Sequence, residues 1–341
     1  MPAHDSYVLV TGASGFVGAS IVRYLAESGR MVLALDIEAP DPLVDDYLEG
    51  LEDRLSWVII DLRDNSKVIS IAKDYNLDSM IHAAVFTAVT KDVEQKAARD
   101  ILTSNFMGTV NALELAREAE VKRFVYVSSS GLYGSTDNIN KSVKENTSQS
   151  YPRMRDFYSI TKIASEKLTE RYSQLFPMST TSMRIAAPYG PMERLKHSRN
   201  VMGPIFRLLR LVLTEEKKTI RVKGLDYVRD WTYVMDMAMG LVAGLDAPVP
   251  VSPLYNVSCG VNSSLEEILT AIQNVPGVDF NWIEVEADAD ADFAVNVSSL
   301  RGPLSIDRTH KELGFEPRLS LQEGINQYCQ WWKDAQKKGI W

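Results

Sequence analysis

Val8-Leu9-Val10-Thr11-Gly12-Ala13-Ser14-Gly15-Phe16-Val17-Gly18 runs from an apolar, β-branched stretch into three glycines spaced three apart, then into an amphipathic stretch reaching Glu27. That order specifies strand, tight turn and helix. Gly12 permits the turn, Gly15 lets backbone N–H groups approach a pyrophosphate, and Gly18 lets the helix pack closely on the strand. The helix N-terminus adds partial positive charge. The segment therefore predicts a dinucleotide-binding loop, with Ser14, Phe16 and Val17 lining it between the glycines.

Outward from this loop, apolar runs alternate with helical patterns, the signature of βαβ units and a parallel sheet. Tyr7 to Val10, Met31 to Leu35, Trp57 to Ile60, Ser79 to His82 and Phe124 to Val127 read as strands. Gly18 to Glu27 and Val93 to Ala119 read as crossover helices. The expected fold class is α/β: a Rossmann doubly wound parallel sheet with a smaller mixed α/β C-terminal substrate lobe. Residues 1–187 form the expected NAD-binding domain and 188–341 the lobe, with the chain crossing back into the main sheet. Helical patterns in the second half cover Met202 to Leu213, Val234 to Leu245, Leu265 to Val275 and Leu321 to Lys337. Extended pieces fall at Thr219 to Val222 and Leu254 to Val257.

The chain has 341 residues, 45% of them hydrophobic and 24% charged, enough for a sizeable core and unlike a disordered or fibrous protein. A net charge of -8 argues against a nucleic-acid-binding surface. The acidic run Glu284 to Asp292 reads as a solvated loop. Cys259 and Cys329, the two cysteines, have neither disulfide-framework nor metal-ligand spacing, so no metal is expected and a reducing, cytoplasmic compartment fits. The polar Pro2 to Ser6 stretch runs straight into a strand, which leaves no signal peptide to read, and no apolar run suits a membrane span. Asn-X-Ser/Thr matches at Asn146, Asn256, Asn262 and Asn296 are read as chance in such a chain.

Asp36 closes the second strand, where a carboxylate accepts hydrogen bonds from adenosine ribose hydroxyls and repels a 2′-phosphate. The cofactor expected is NAD. Tyr158 and Lys162 lie four apart in the helical stretch Asp156 to Gln174, on one face. An ammonium beside a phenol lowers the phenol's pKa towards working pH, giving an acid/base unit. Upstream, Phe124-Val-Tyr-Val-Ser128-Ser129-Ser130-Gly-Leu-Tyr133-Gly134 ends a strand in hydroxyls at the sheet's carboxyl edge.

With these motifs in this order, the chain resembles an extended short-chain dehydrogenase/reductase of the NAD-dependent epimerase/dehydratase family, which includes UDP-galactose 4-epimerase. The resemblance covers nearly the whole length. It extends through Asp61-Leu62, His82-Ala83-Ala84, Asn105, Arg184 to Pro191, Arg229 to Val234, Tyr255-Asn-Val257 and Leu313 to Pro317. It implies that Asp61 and Leu62 lie beside the adenine, that His82, Ala83, Ala84 and Asn105 lie along the cofactor, and that Pro188 flanks the nicotinamide. It also implies Ser129 as the hydroxyl that bonds the reacting oxygen, Tyr158 as the acid/base, and Lys162 as its tuner and a ribose contact. Ser129, Ser130, Arg229 and Arg301 are the implied substrate residues.

Three departures narrow the resemblance. Ser130-Gly131 stand where 4,6-dehydratases carry Asp-Glu, and glycine cannot act as a general base, so dehydration is disfavoured. Ala187 replaces the Asn usual in nucleotide-sugar enzymes, and Lys223 to Val228 replaces a Gly-Asp-Gly-x-Gln run. The expected function is an NAD-dependent sugar epimerase/oxidoreductase acting on a secondary alcohol of a sugar or nucleotide-sugar by Tyr/Lys/Ser acid-base chemistry and hydride transfer. The alternative is an NAD-dependent dehydrogenase of a non-nucleotide sugar, sugar acid or small hydroxy compound. Relatives imply a homodimer pairing the Val93 to Ala119 helix and the Tyr158 helix with their mates. Apolar positions such as Ile101, Leu102 and Leu113 are too many for one buried face.

Overall fold

Seven parallel strands form the central sheet: β1 (Tyr7–Thr11), β2 (Met31–Asp36), β3 (Leu55–Ile59), β4 (Leu77–His82), β5 (Arg123–Ser129), β6 (Ser179–Ile185) and β7 (Leu254–Val257). The computed structural model describes residues 6–87, 90–136, 138–147, 156–199, 201–248, 251–295 and 300–341. The strand order is β7-β6-β5-β4-β1-β2-β3. The chain thus proceeds one way from β1 to β3 and the other way from β4 to β7, so the direction reverses between β1 and β4. Ligands of open α/β sheets bind in the crevice outside that reversal. In register, Thr11 pairs with both Leu35 and His82, and Ser129 with Ile185, so one edge gathers the carboxyl ends of five strands. Continuous apolar runs make these strands because helices cover both faces.

Several helices differ from the sequence expectation, for local reasons. Val93 to Ala119 is not one helix but Lys91–Leu102 and Gly108–Glu118 around a π-turn at Thr103–Met107. There the buried Asn105 side chain accepts from Phe86 N at 2.7 Å and donates to Phe86 O at 2.9 Å, ties that the wide turn accommodates. Met202 to Leu213 is likewise Pro204–Leu209 followed by a π-turn, Arg210–Thr214. The helix Phe157–Leu175 starts at Asp156, whose carboxylate accepts from Ser159 N at 2.7 Å. Capping boxes at Ser264/Glu267 and Ser320/Glu323 start Leu265–Gln273 and Leu321–Lys337.

Two elements of the second half belong to the sheet layer. β7 pairs with β6, and the helix Val234–Asp246 packs beneath, where a Cβ on Gly240 would fall 2.4 Å from Val257 Cγ1. Many of the other apolar residues after 188 gather in a separate cluster that includes Phe206, Trp231, Ile268, Tyr328 and Trp332, while Met192, Leu304, Phe315 and Ala335 join the core of the sheet layer. Of the three positions invoked for dimerisation, Ile101 and Leu113 are buried in the chain's own core, and Leu102 is exposed. Within the acidic run, Asp292 is a structural partner, accepting from Lys217 Nζ and Arg221 N, each at 2.8 Å. Asn256 is fully buried, its amide donating to Val143 O and Ser305 O, and Asn296 lies outside the described residues. Among the described residues no helix is long and apolar enough to cross a membrane.

Candidate active site

The glycine loop caps the crevice. Gly12 has φ +68°, and a Cβ there would lie 2.7 Å from Ala84 Cα, so backbone conformation and space both demand glycine. A Cβ on Gly18 would fall 1.9 Å from Gly12 O, which is why the helix can sit this close. Among the described residues no side chain caps the N-terminus of Phe16–Glu27, which leaves its first-turn N–H groups for an anion.

Beside the loop, a cavity of about 460 Å³ runs from Asp36 and Asp61 past Gly12, Gly15 and Gly18 to Tyr158 and Lys162. Its length of wall and its donors suit a dinucleotide. Ser14, Phe16, Val17, Leu62, Ala83, Ala84, Pro188 and Ser129 also line it. At the end of β2, Asp36 Oδ2 accepts from Ser14 N at 2.8 Å and Ser14 Oγ at 2.9 Å, while Oδ1 accepts from Ile37 N at 2.8 Å. Asp61 is gripped by Arg63, whose Nη2 stands 2.7 Å from Oδ2, and those hydrogen bonds hold its carboxyl below the usual carboxylate range. Arg63, which reaches on to Asp100 at 3.1 Å, was not singled out by sequence reasoning.

His82 and Asn105 stand behind the wall rather than on it. His82 bonds Thr11 Oγ1 at 2.7 Å and Thr109 Oγ1 at 3.1 Å, and Thr11 Oγ1 also accepts from Ala84 N. Burial, aided by the Lys162 charge, pushes its pKa down to about 3, so the ring is neutral. It supports Ala84, as Asn105 supports Phe86.

At the inner end, β5 delivers Ser129 and the first turns of Phe157–Leu175 deliver Tyr158 and Lys162. Lys162 Nζ donates to Val127 O at 2.6 Å and stands 5.8 Å from the Tyr158 ring centroid. Burial pulls this ammonium from 10.5 to about 7, against the opposing pull of Glu166. The Tyr158 phenol is raised, not lowered: burial outweighs the hydrogen bond with Ser129 and the charge of Arg199. Glu166, one turn beyond Lys162, was missed. It accepts from Ser128 Oγ at 2.5 Å and pairs with the buried Arg184.

Ser130, Arg229 and Arg301 form a neighbouring group that does not line the cavity. Arg301 is buried and donates to Ser130 O and, at 2.8 Å, to Ser130 Oγ; burial and Arg229 bring its pKa down to about 10. Arg229 Nε donates to Tyr227 Oη at 2.7 Å. Sequence reasoning also passed over Arg194 to Arg199, five of whose side chains line the cavity; the signal was three basic residues within six, straight after Pro-Tyr-Gly-Pro-Met-Glu.

A UDP-glucuronate 4-epimerase of Thermodesulfobacterium geofontis is 27% identical over 343 residues, covering 96% of each chain. MoeE5, solved in complex with UDP-glucose and NAD, is 25% identical, with a TM-score of 0.76 over 97% of this chain and 100% of that one. The UDP-glucose-4-epimerase from Stenotrophomonas maltophila, solved with bound NAD and formylated UDP-arabinopyranose, shares the fold at 22% identity, with a TM-score of 0.81 over 98% and 99% of the two chains. A model of the NAD dependent epimerase/dehydratase family matches residues 8–258, from the first strand through the return strand β7. Glycine loop, strand-end hydroxyl and Tyr-Lys helix all fall inside that span, and the chain belongs to this family, as an NAD-dependent epimerase/oxidoreductase of the extended short-chain dehydrogenase/reductase type.

Proposed function

We propose that the chain is a 4-epimerase of a nucleotide sugar, UDP-glucuronate being the first candidate, and that Ser129, Tyr158 and Lys162 do the proton chemistry. The observation that carries this reading is their convergence at the inner end of the dinucleotide-sized cavity. Tyr158 Oη takes the proton of the sugar hydroxyl and later returns it. Ser129 orients that hydroxyl and steadies charge on its oxygen. Lys162, held by Val127 O, stands beneath the phenol, where its charged form favours phenolate, and within reach of the nicotinamide ribose. Bound NAD supplies the hydride acceptor and a positive ring that favours phenolate.

Gly12, Ser14 to Gly18, Asp36, Asp61, Leu62, Ala83, Ala84 and Pro188 hold the cofactor in this reading, and His82 and Asn105 position its wall. Arg229 and Arg301 meet the substrate diphosphate, with Ser130, which Arg301 holds, as the contact to the reacting end. The functional boundary is placed at 187/188, although β7 returns to the sheet. Incubation with UDP-glucuronate, followed by NMR of the sugar, tests the reaction. The expected result is the 4-epimer without net NADH. Net NADH would favour the dehydrogenase alternative, and no turnover of any UDP-sugar would overturn the substrate class.

A cytoplasmic location accords with the two free cysteines. A homodimer is supported by exposed Leu102 and Met107, at the break between Lys91–Leu102 and Gly108–Glu118, and by exposed Ile160 on the helix of Tyr158. Sedimentation at micromolar concentration should show a dimer; a monomer would contradict it.

A further inference from the structure

Residues 196–199 make a tight hairpin in which Lys196 N donates to Arg199 O and Arg199 N to Lys196 O, both at 2.9 Å. Directly paired residues of an antiparallel bridge carry their side chains on the same side. Here that side is the glycine loop: Lys196 Nζ donates to Ser14 Oγ at 2.9 Å, and the Arg199 guanidinium carbon lies 5.3 Å from the Phe16 ring centroid. Ser14 and Phe16 flank Gly15, the position at which backbone N–H groups approach a pyrophosphate. Two cations therefore stand over the one place in the groove where a dinucleotide carries two negative charges.

The hairpin is anchored from both walls. Thr87 N and Thr87 Oγ1 donate to Ser198 O at 2.8 and 2.9 Å, and Arg194 Nη1 reaches Asp41 beyond β2. From below, the buried Glu193 carboxylate accepts from Arg199 Nη2 at 2.7 Å and from Gly203 N at 2.8 Å. The acidic partners leave charge to spare for a ligand. Among the described residues, Lys196 pairs only with the rim carboxylate of exposed Glu38, at 3.5 Å, and Arg199 keeps a buried Nε that has no partner.

We propose that the Lys196–Arg199 hairpin is a clamp that closes over the pyrophosphate of NAD and keeps the cofactor resident between turnovers. The clamp rests on the NAD dependence of the family. It adds two charge-assisted contacts to the loop's N–H groups, and it makes release wait on separation of Thr87 from Ser198 and of Arg194 from Asp41. A cofactor so held is one that is reduced and reoxidised in place.

The test follows release of dinucleotide from the purified holoprotein, with Lys196→Gln as the variant because Lys196 sits at the rim, where its loss leaves no buried charge unpaired. NAD release by gel filtration and by dilution should quicken roughly 10-fold or more, as loss of one charge-assisted contact implies, and Lys196→Arg should restore retention. ADP-ribose, which keeps the pyrophosphate, should weaken alongside NAD, whereas adenosine, which lacks it, should bind both proteins within about 2-fold, the ordinary scatter of a contact left untouched. Equal NAD release from wild type and Lys196→Gln would overturn the clamp, as would adenosine weakening as much as NAD. Wild-type protein that binds neither NAD nor ADP-ribose would overturn the cofactor reading and the clamp together, a result distinct from equal release.

Discussion

Arg184 and Glu166 meet as a buried fork beneath the carboxyl end of β5, with Nε 2.8 Å from Oε1 and Nη2 2.7 Å from Oε2. The same Oε1 accepts from Ser128 Oγ, and the guanidinium lies 4.6 Å from the Tyr133 ring centroid, so the pair sets the floor on which Ser129 and Lys162 rest. Removing one partner strands a charge without solvent. Arg184→Met should therefore cost about 3–5 kcal/mol in urea unfolding, and a companion Glu166→Gln change should recover part of that loss. A cost below about 1 kcal/mol for Arg184→Met would mean that the fork does not carry the strand end.

Tyr158→Phe should lower turnover by roughly 10²-fold or more while bound NAD and thermal stability stay near wild type, as for loss of a positioned acid/base. Lys162→Met should reduce both turnover and NAD content, because the ammonium serves the phenol and the ribose. Near wild-type kcat in Tyr158→Phe would remove the phenol from the mechanism.

Cofactor preference should follow Asp36. A 2′-phosphate brought to this carboxylate meets like charge. Binding of NADP is expected to be weaker than NAD by about 10²-fold, and Asp36→Ser should narrow that gap. Titration of each cofactor into protein freed of dinucleotide measures it. Equal affinity would contradict the role given to Asp36.

The buried His82 gives the fold an acid limit. Its pKa in the native chain, about 3, lies below the 6.5 of the exposed side chain, so between these values the unfolded chain binds a proton that the native chain refuses. Stability from this residue is full above 6.5 and is lost as pH falls towards 3, at up to about 1.4 kcal/mol per pH unit. Denaturation midpoints for wild type and His82→Asn across this range should differ in slope by up to one proton. Identical slopes would show that His82 takes its proton within the native state.

Much of this was legible because the decisive contacts are short-range. The glycine loop is eleven consecutive residues, and Tyr158 and Lys162 share one helix turn, so spacing alone implied their geometry. Glu166 was within the same reach, four residues beyond Lys162, and its partner Arg184 was already part of a recognised motif; a buried salt bridge, however, leaves no periodic mark. Lys196 and Ser14 are separated by 182 positions, and no local pattern announces such a contact. The break at Thr103–Met107 was hidden for another reason: its sequence carries no Pro or Gly, and the wide turn accompanies the long-range tie from Asn105 to Phe86.

The return of Leu254–Val257 to the edge of the sheet bears on how this chain can be taken apart. A fragment ending at residue 187 would keep the three glycines of the loop and the Tyr-Lys pair, yet leave β6 with a bare row of backbone donors and acceptors and strip the Val234–Asp246 helix from beneath the sheet. Such an edge invites pairing with other chains. The nucleotide-binding half is thus not an interchangeable cassette; grafting a new specificity onto it means replacing surface segments between 258 and 341 in place, while the stretch from 234 to 257 travels with the first half as part of its own body.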